Sequence, residues 1–592
     1  MIPASVRPYR VVRAATDTIV QRLDEAIHDR SDVILVVSGD TPPDHVLTEL
    51  AVVGTLANRI GAVVPRVQGD GPDGLPSQHV ARRLPRIDFI PLAAPSAVWL
   101  AHEVLADYRD SFAASSLADG LFAFLVRINR SGYRLAVANH AMVDAEPSPH
   151  VDELATRHAA EFPEATALLS RDAGSAEHRS LRLLSELPAP GGPLRVLFDL
   201  DHLAAHYNGT FEVARALVTS SAAHWPDSVT LLASAHESAW RFHGLDKLSR
   251  VQRIDPSDRT PVAAVIRVGQ PYVYGDLWRT YSRSPVVVAL LLDAISYDCG
   301  YLSLAFDPEI WRFAAQASDA VVANSVYTLA CITERFPTGD GVTARVIRHS
   351  LDAAEYGADV APAPGEGILV VGNGYAHKFV DETTRALAAG HLGRPLMSLG
   401  WSAQTAAPPG VSAYPSGALD PATLEQLYAS ASCVVFPSHY EGFGLPILNA
   451  LARHRPVYVR DLPLFRELAE GIPQRANIHF YRDTAQLVEA LQQPATWVPG
   501  PLAAAPHNWA AAAMELLHSV RDACEQSNAM FIRRRLERLD ASRLSLGELL
   551  PWLSQEQRIA LKLAPWTGRL LRWTRADRWL AWRRDTRRTP PS

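Results

Sequence analysis

Short apolar runs alternate with amphipathic helical patterns along most of this chain, and the alternation predicts an α/β protein. "LRVLFDL" (194–200) and "GILVVGN" (367–373) are β-rich runs, each leading into a polar, glycine-bearing turn and then a helical pattern. Strand, glycine turn and helix in that order open a doubly wound domain, so two such domains are expected, at 193–360 and 366–505. In the second, "PLMSLG", "CVVFPS" and "RPVYV" read as further strands and "PATLEQLYASA" as a helix between them, the alternation that a parallel sheet requires. Ligands of open α/β sheets sit at the carboxyl ends of strands, which singles out the glycine turns at 208–209, 372–374 and 442–444.

The segment 1–155 predicts another α/β unit from "DVILVVSGDTPP", "GAVVPRV" and "LADGLFAFLVRINRSGYRLAVANHAMVD", with no glycine-rich phosphate turn to open it. Pro/Gly-rich breaks at 145–150, 187–193 and 361–367 divide the chain, and 156–192 reads as a linker. Beyond 505, "HNWAAAAMELLHSVRDAC" is an alanine-rich helix pattern that begins a last region, 506–592. Its tail, 566–592, holds eight Arg, two Asp and four Trp. Arg heads with Trp rings suit an anionic membrane face, but the apolar residues make no single helical stripe, and a solvated tail is the competing expectation.

Length adds that 592 residues exceed one ordinary core. A net charge of −6 over that length gives no sign of a nucleic-acid partner. Cys299, Cys331, Cys433 and Cys524 lie far apart without a C-x-x-C pair, which argues against a disulfide framework and a zinc site. The longest apolar stretch, "VVVALLLDAI", is far short of the ~20 residues of a membrane span, and the start lacks a signal-like apolar core. A cytoplasmic protein, with peripheral contact at the inner membrane face through 566–592, is the resulting expectation.

The chemistry concentrates in "FPSHYEGFGLPILNALA" (436–452). Gly442 and Gly444 leave backbone N–H groups open to a ligand, and Pro446 suits the first turn of a helix. Unpaired amides at a helix start, with the helix dipole, form an anion site whose natural occupant is a diphosphate. Glu441 repels phosphate but can accept hydrogen bonds from sugar hydroxyls. A tight strand-to-helix turn without a ligand is the plain alternative for any isolated Gly-x-Gly.

The stretch "PSHYEGFGLPILNALA" resembles the E-x7-E motif of retaining glycosyltransferases of family 4, which have the GT-B fold of two facing Rossmann-like domains. "VLFDLDHLAAHYNGTFEVARAL", "VVGNGYAHKF", "SDAVVANSVYTLACI" and "GALDPATLEQLYASASCVVFPS" extend the resemblance over 195–525. It implies that Glu441 and the backbone of Gly442, Phe443, Gly444 and Leu445 hold the transferred sugar, and that Lys378 neutralises the departing diphosphate. Asn208, Gly209 and Thr210 would close on the donor from the first domain. It further implies a retaining transfer with no cofactor and no metal, from a nucleotide diphosphate sugar to a glycan or lipid-linked acceptor in surface polysaccharide assembly. His206 and Asp293 are acceptor-side candidates, and His377 and His206 are conceivable proton carriers or simply structural.

The sequence departs from the family pattern at three places. The second motif glutamate is Asn449, the arginine frequent after the glycine of the second domain is Asn373, and Leu292 precedes Asp293 where many members have a histidine. A carboxamide matches one hydroxyl better than two, so a deoxynucleotide donor such as dTDP-rhamnose is one expectation and neutral drift the other. The same departures favour the alternative of a non-catalytic glycosyltransferase-like scaffold or partner; an epimerase or phosphorylase of the same fold is a third reading. Residues 1–155 resemble part of a family-2 glycosyltransferase of the GT-A fold. Of its metal-bearing acidic turn only Asp40 remains, which favours an inactive, truncated domain used for packing or assembly over a second catalytic centre.

Overall fold

The computed structural model describes residues 7–549, except 14–17, 69–77, 114–115, 145–150, 190, 300–301, 303–306, 350–364, 403–405, 418, 473 and 499–507. The break at 145–150, most of that at 361–367 and the tail 566–592 thus lie outside the described residues. The chain divides into one unit over Met1–Arg534 and a second over Arg535–Ser592.

The first unit holds three sheets. The N-terminal lobe has β1 (Tyr9–Arg13), β2 (Asp32–Val36), β3 (Ile60–Gln68), β4 (Ile87–Ile90), β5 (Ala97–Leu100) and β6 (Arg134–Asp144), in the order β1-β2-β5-β3-β6-β4. β5 runs antiparallel to both its neighbours, so this sheet is mixed. "LADGLFAFLVRINR" is the helix Leu117–Arg130, as its apolar spacing predicts, and Ser116 caps it by accepting from the Asp119 N–H at 3.1 Å. The stretch 156–192, expected as a linker, is largely helical. Glu164–Ala173 and Ala176–Leu184 are helices, and Phe162 and Ala165 pack with Phe122 and Val126 of the N-terminal lobe.

Seven parallel strands form the middle lobe: β7 (Leu194–Asp199), β8 (Val229–Ser234), β9 (Val251–Ile254), β10 (Ala264–Val268), β11 (Val286–Leu290), β12 (Ala320–Ala323) and β13 (Thr343–Val346). Their order is β13-β12-β11-β10-β7-β8-β9. Six more parallel strands form the C-terminal lobe: β14 (Gly367–Val371), β15 (Leu396–Leu399), β16 (Val411–Tyr414), β17 (Ala431–Phe436), β18 (Val457–Arg460) and β19 (Ile478–Tyr481), ordered β16-β15-β14-β17-β18-β19. The expected strands and the expected helix Pro421–Ser430 are all present. Central strands such as β10, β11 and β14 are buried at every position, as sheets covered on both faces must be.

Both orders reverse direction once, between β7 and β10 in the middle lobe and between β14 and β17 in the C-terminal lobe. Crevices open at such switch points, at the carboxyl ends of the strands. Here the two carboxyl edges meet. Glu467 of the C-terminal lobe accepts from the Val326 and Tyr327 N–H groups (2.9 and 2.8 Å), capping the helix Val326–Arg335 of the middle lobe, and Tyr440 donates its hydroxyl hydrogen to Asp298. The helix Trp509–Gln526, predicted from the alanine-rich pattern, packs on the middle lobe, where the Trp225 indole donates to the Ala513 carbonyl at 2.8 Å. A last helix, Ala529–Leu549, follows. Among the described residues no helix is long and apolar enough to cross a membrane.

Candidate functional site

The turn after β17 is shaped by two glycines for different reasons. Gly444 has φ +108°, in the left-handed region that favours glycine, and opens the helix Leu445–Ala452 with Pro446 in its first turn. Gly442 is required by space. A Cβ there would lie 1.9 Å from the Leu292 carbonyl oxygen and 2.9 Å from the Asp293 Cβ, so middle-lobe backbone lies where a side chain would go. The Gly442 carbonyl accepts from Ser325 Oγ (3.1 Å) and Thr328 Oγ1 (2.7 Å) of the same lobe. One lobe therefore fixes the turn of the other. The Phe443 ring packs 5.1 Å from the His349 ring, which in turn lies 5.5 Å from Trp509.

Lys378 arrives from the strand on the other side of the switch point. After β14 the chain passes Gly372 and Asn373, whose Oδ1 accepts from the Tyr375 N–H at 3.1 Å, and enters a short 3-10 turn, Ala376–Lys378. Asn373 thus shapes the loop and supplies no cation. Lys378 Nζ donates to Glu441 Oε1, with the two side chains only 14% and 9% exposed. An ammonium and a carboxylate meet at a helix start, where Pro446 has no N–H and the Ile447 N–H is taken by the Gly444 carbonyl at 3.0 Å; the charged pair can neutralise a phosphate while binding hydroxyls. His377 is buried beside them with neither ring nitrogen hydrogen-bonded. Burial, then the charge of Lys378 and the neighbouring His439, lowers its pKa to about 3, so it stays neutral at physiological pH.

Asn449 lies one turn inside the helix and accepts through Oδ1 from Arg453 at 3.2 Å. Both oxygens of Glu425 accept from the same guanidinium, which also stacks 4.5 Å from the Tyr428 ring centroid. Asn449 thus belongs to a network with Arg453 and Glu425 that joins two helices.

On the middle lobe, Asn208 spends its side chain as the cap of the helix Gly209–His224, accepting from the Phe211 N–H at 2.8 Å. Gly209 and Thr210 form the first turn of that helix at the carboxyl edge. His206 is exposed, with Nε2 3.4 Å from Asn208 Nδ2. Asp293 accepts through Oδ1 from the Ile295 N–H (2.9 Å), and its carbonyl accepts from Gln270 Nε2 (2.7 Å); burial pushes its carboxyl upward. It lies beside Gly442, whereas His206 belongs to the loop after β7.

A buried polar cluster that sequence reasoning missed sits under that loop, at the β7/β10 switch point. Asp199 accepts from Arg267 (3.0 Å) and Thr280 (2.5 Å), and Asp201 accepts from Ser234. Burial, then the charge of Asp199, raises the Asp201 pKa to about 6. The nearby His202 has no partner on either ring nitrogen. The run "DLDHL" at the end of a strand was the available signal. No group of three or more His, Cys, Asp or Glu suited to a metal occurs among the described residues.

Residues 404–495 match the family model described as glycosyl transferases group 1. That span contains Glu441, the glycine turn and Asn449; Lys378 and the middle lobe fall outside it. A serotype-specific mannosyltransferase, WbdA of Escherichia coli, is 45% identical over 47 residues, 8% of this chain and 6% of that protein. The O-antigen chain mannosyltransferase RfbU of Salmonella typhimurium is 47% identical over 45 residues, 8% of this chain and 13% of that protein. The chain thus spans only a small part of the length of the curated relatives it matches. Similar solved structures include Anabaena Alr3699/HepE in complex with UDP and glucose, at 13% identity over 59% of this chain and 100% of that one, TM-score 0.38. Another is WaaG, a glycosyltransferase involved in lipopolysaccharide biosynthesis, at 12% identity over 58% of this chain and 99% of that one, TM-score 0.37.

Proposed function

We propose that this chain is a retaining glycosyltransferase that moves a sugar from a nucleotide diphosphate donor to a glycan or lipid-linked acceptor in surface polysaccharide assembly, at the cytoplasmic face of a membrane. The observation that carries the reading is the meeting of Lys378 and Glu441 at the β14/β17 switch point, against a turn that the facing lobe holds through Gly442. When a donor binds, Lys378 and the turn that opens Leu445–Ala452 take the diphosphate, and Glu441 turns to the sugar hydroxyls. As the glycosidic bond to phosphate breaks, charge grows on the diphosphate, where a fixed ammonium and helix start stabilise it most. The meeting of the two lobes supplies orientation.

A deoxynucleotide donor such as dTDP-rhamnose fits Asn449, whose carbonyl already serves Arg453. A mannosyl donor is the competing choice, from the short matches to mannosyltransferases. Tighter calorimetric binding of UDP or GDP than dTDP would reject the deoxynucleotide and leave the transferase reading standing. The second reading, a non-catalytic partner, is favoured by Asn373 supporting a loop where a cationic contact is expected. Purified protein incubated with a panel of nucleotide sugars separates the two: the transferase releases nucleotide diphosphate and Lys378→Ala does not, whereas the scaffold releases none.

A further inference from the structure

The carboxyl edge of the middle sheet carries a cluster of rings that the donor site does not use. The loop after β7 brings Tyr207 to the surface, and the helix Glu237–Phe242, which follows the neighbouring strand β8, brings Phe242 beside it. Their ring centroids are 4.8 Å apart. His243 lies 5.0 Å from Phe242 and 6.1 Å from Tyr207, anchored by Nε2 at 2.9 Å from the Ala204 carbonyl oxygen. Phe211, in the first turn of the helix capped by Asn208, supports His243 from below at 5.7 Å. Phe211 is 6% exposed, whereas Tyr207 and Phe242 are 37% and 39% exposed. Two outer rings are thus held in place by two inner ones.

A single exposed aromatic residue needs no explanation. A preorganised pair at the ligand-binding edge of a doubly wound sheet is different, because rigid rings bury area on a ligand at little cost in conformational entropy. The four rings carry apolar faces with a phenol and an imidazole at their margins and bear no formal charge while His243 is neutral. That surface complements a pyranose, with its C–H face and hydroxyl rim, better than a phosphate or a carboxylate. It is also placed for transfer. Tyr207 immediately precedes Asn208, and its carbonyl oxygen lies 3.0 Å from where a Cβ on Gly417 of the C-terminal lobe would be, so the cluster borders the line where the lobes meet.

We infer that Tyr207 and Phe242 form a platform on which a neutral sugar unit of the acceptor glycan stacks. The word acceptor rests on the transferase reading; the platform itself does not. An array of neutral and acidic oligosaccharides, probed with the full chain, tests it. The wild type is expected to bind a set of neutral glycans, with affinity falling about tenfold in Tyr207→Ala and in Phe242→Ala. Phe242→Trp, which keeps a ring, retains that binding. Thermal melts confirm that these surface variants fold. Neutral-glycan binding unchanged in both alanine variants, binding of acidic glycans only, or no neutral glycan bound overturns the proposal. Ring-dependent glycan binding without nucleotide release from any sugar donor would sink the transferase reading and leave the platform standing.

Discussion

The N-terminal lobe and the paired parallel lobes use the same kinds of residue to opposite ends. In the N-terminal lobe the buried carboxylates are spent internally. Asp88 receives both terminal nitrogens of Arg533 and the Asn139 amide (2.8 Å), and Asp119 receives Ser116, Arg157 and His158. Asp32 accepts from the His102 N–H at 3.0 Å. Asp40, the one residue left of an expected acidic turn, is fully exposed near Arg13. Where the parallel sheets meet, His202, His349 and His377 instead leave buried ring nitrogens unpartnered, and glycines admit backbone where side chains would stand. Mutual pairing holds elements together, whereas polar groups left unspent at strand ends are available to a ligand. The contrast fits the proposal that the chemistry lies at the lobe junction.

The comparison breaks first at Arg533. Arg533→Ala removes the bidentate partner of buried Asp88, leaving that carboxylate to Asn139 and to Arg66 at 3.7 Å, and should cost about 3 kcal/mol in chemical denaturation, with turnover per folded molecule unchanged. A loss of turnover with stability intact would put chemistry in the wrong lobe. Lys378→Ala also leaves a buried carboxylate, Glu441, without its cation and lowers stability, but unlike Arg533→Ala it should lower kcat per folded molecule about 10²–10³-fold as well.

Acid sharpens the contrast through the buried imidazoles. Burial lowers the pKa values of His202, His349 and His377 to about 3, against 6.5 for the ordinary side chain. As pH falls below 6.5 the unfolded chain takes up three protons that the folded chain refuses, so stability falls, by up to about 4 kcal/mol per pH unit. Asp201 opposes this. Its raised pKa lets the folded state bind a proton between pH 6 and about 4, offsetting about a third of the slope. Denaturant midpoints that rise on acidification from pH 6.5 to 5 would contradict this sign. The smallest expected effect is at the lobe contact, where Glu467→Ala removes the cap of Val326–Arg335 and should cost about 1 kcal/mol, read from the denaturant midpoint.

The opening strands of both parallel sheets, three further strands of the C-terminal one and the turn "EGFGLP" were legible because each is a local pattern: an apolar run, a pair of glycines, a proline one step into a helix. The pairing of Lys378 with Glu441 joins residues 63 positions apart, and family resemblance, not spacing, pointed to it. What stayed hidden depends on contacts between distant segments. No local rule shows that Gly442 must be small because Leu292 passes it, or that Tyr207 meets Phe242. The bond of Arg453 to Asn449 and the hold of Glu425 on the same guanidinium likewise join two helices. The stretch 156–192 read as a linker because flanking prolines and glycines outweighed a short helical pattern whose buried face becomes evident only against Phe122.

Calorimetric titration of the wild type and Lys378→Ala with a panel of nucleoside diphosphates tests the central claim most directly. The account predicts that the wild type binds at least one of them and that the variant binds it at least tenfold more weakly, through loss of one charge-assisted contact. Equal affinity in the two proteins, or no nucleoside diphosphate bound by the wild type, would contradict it.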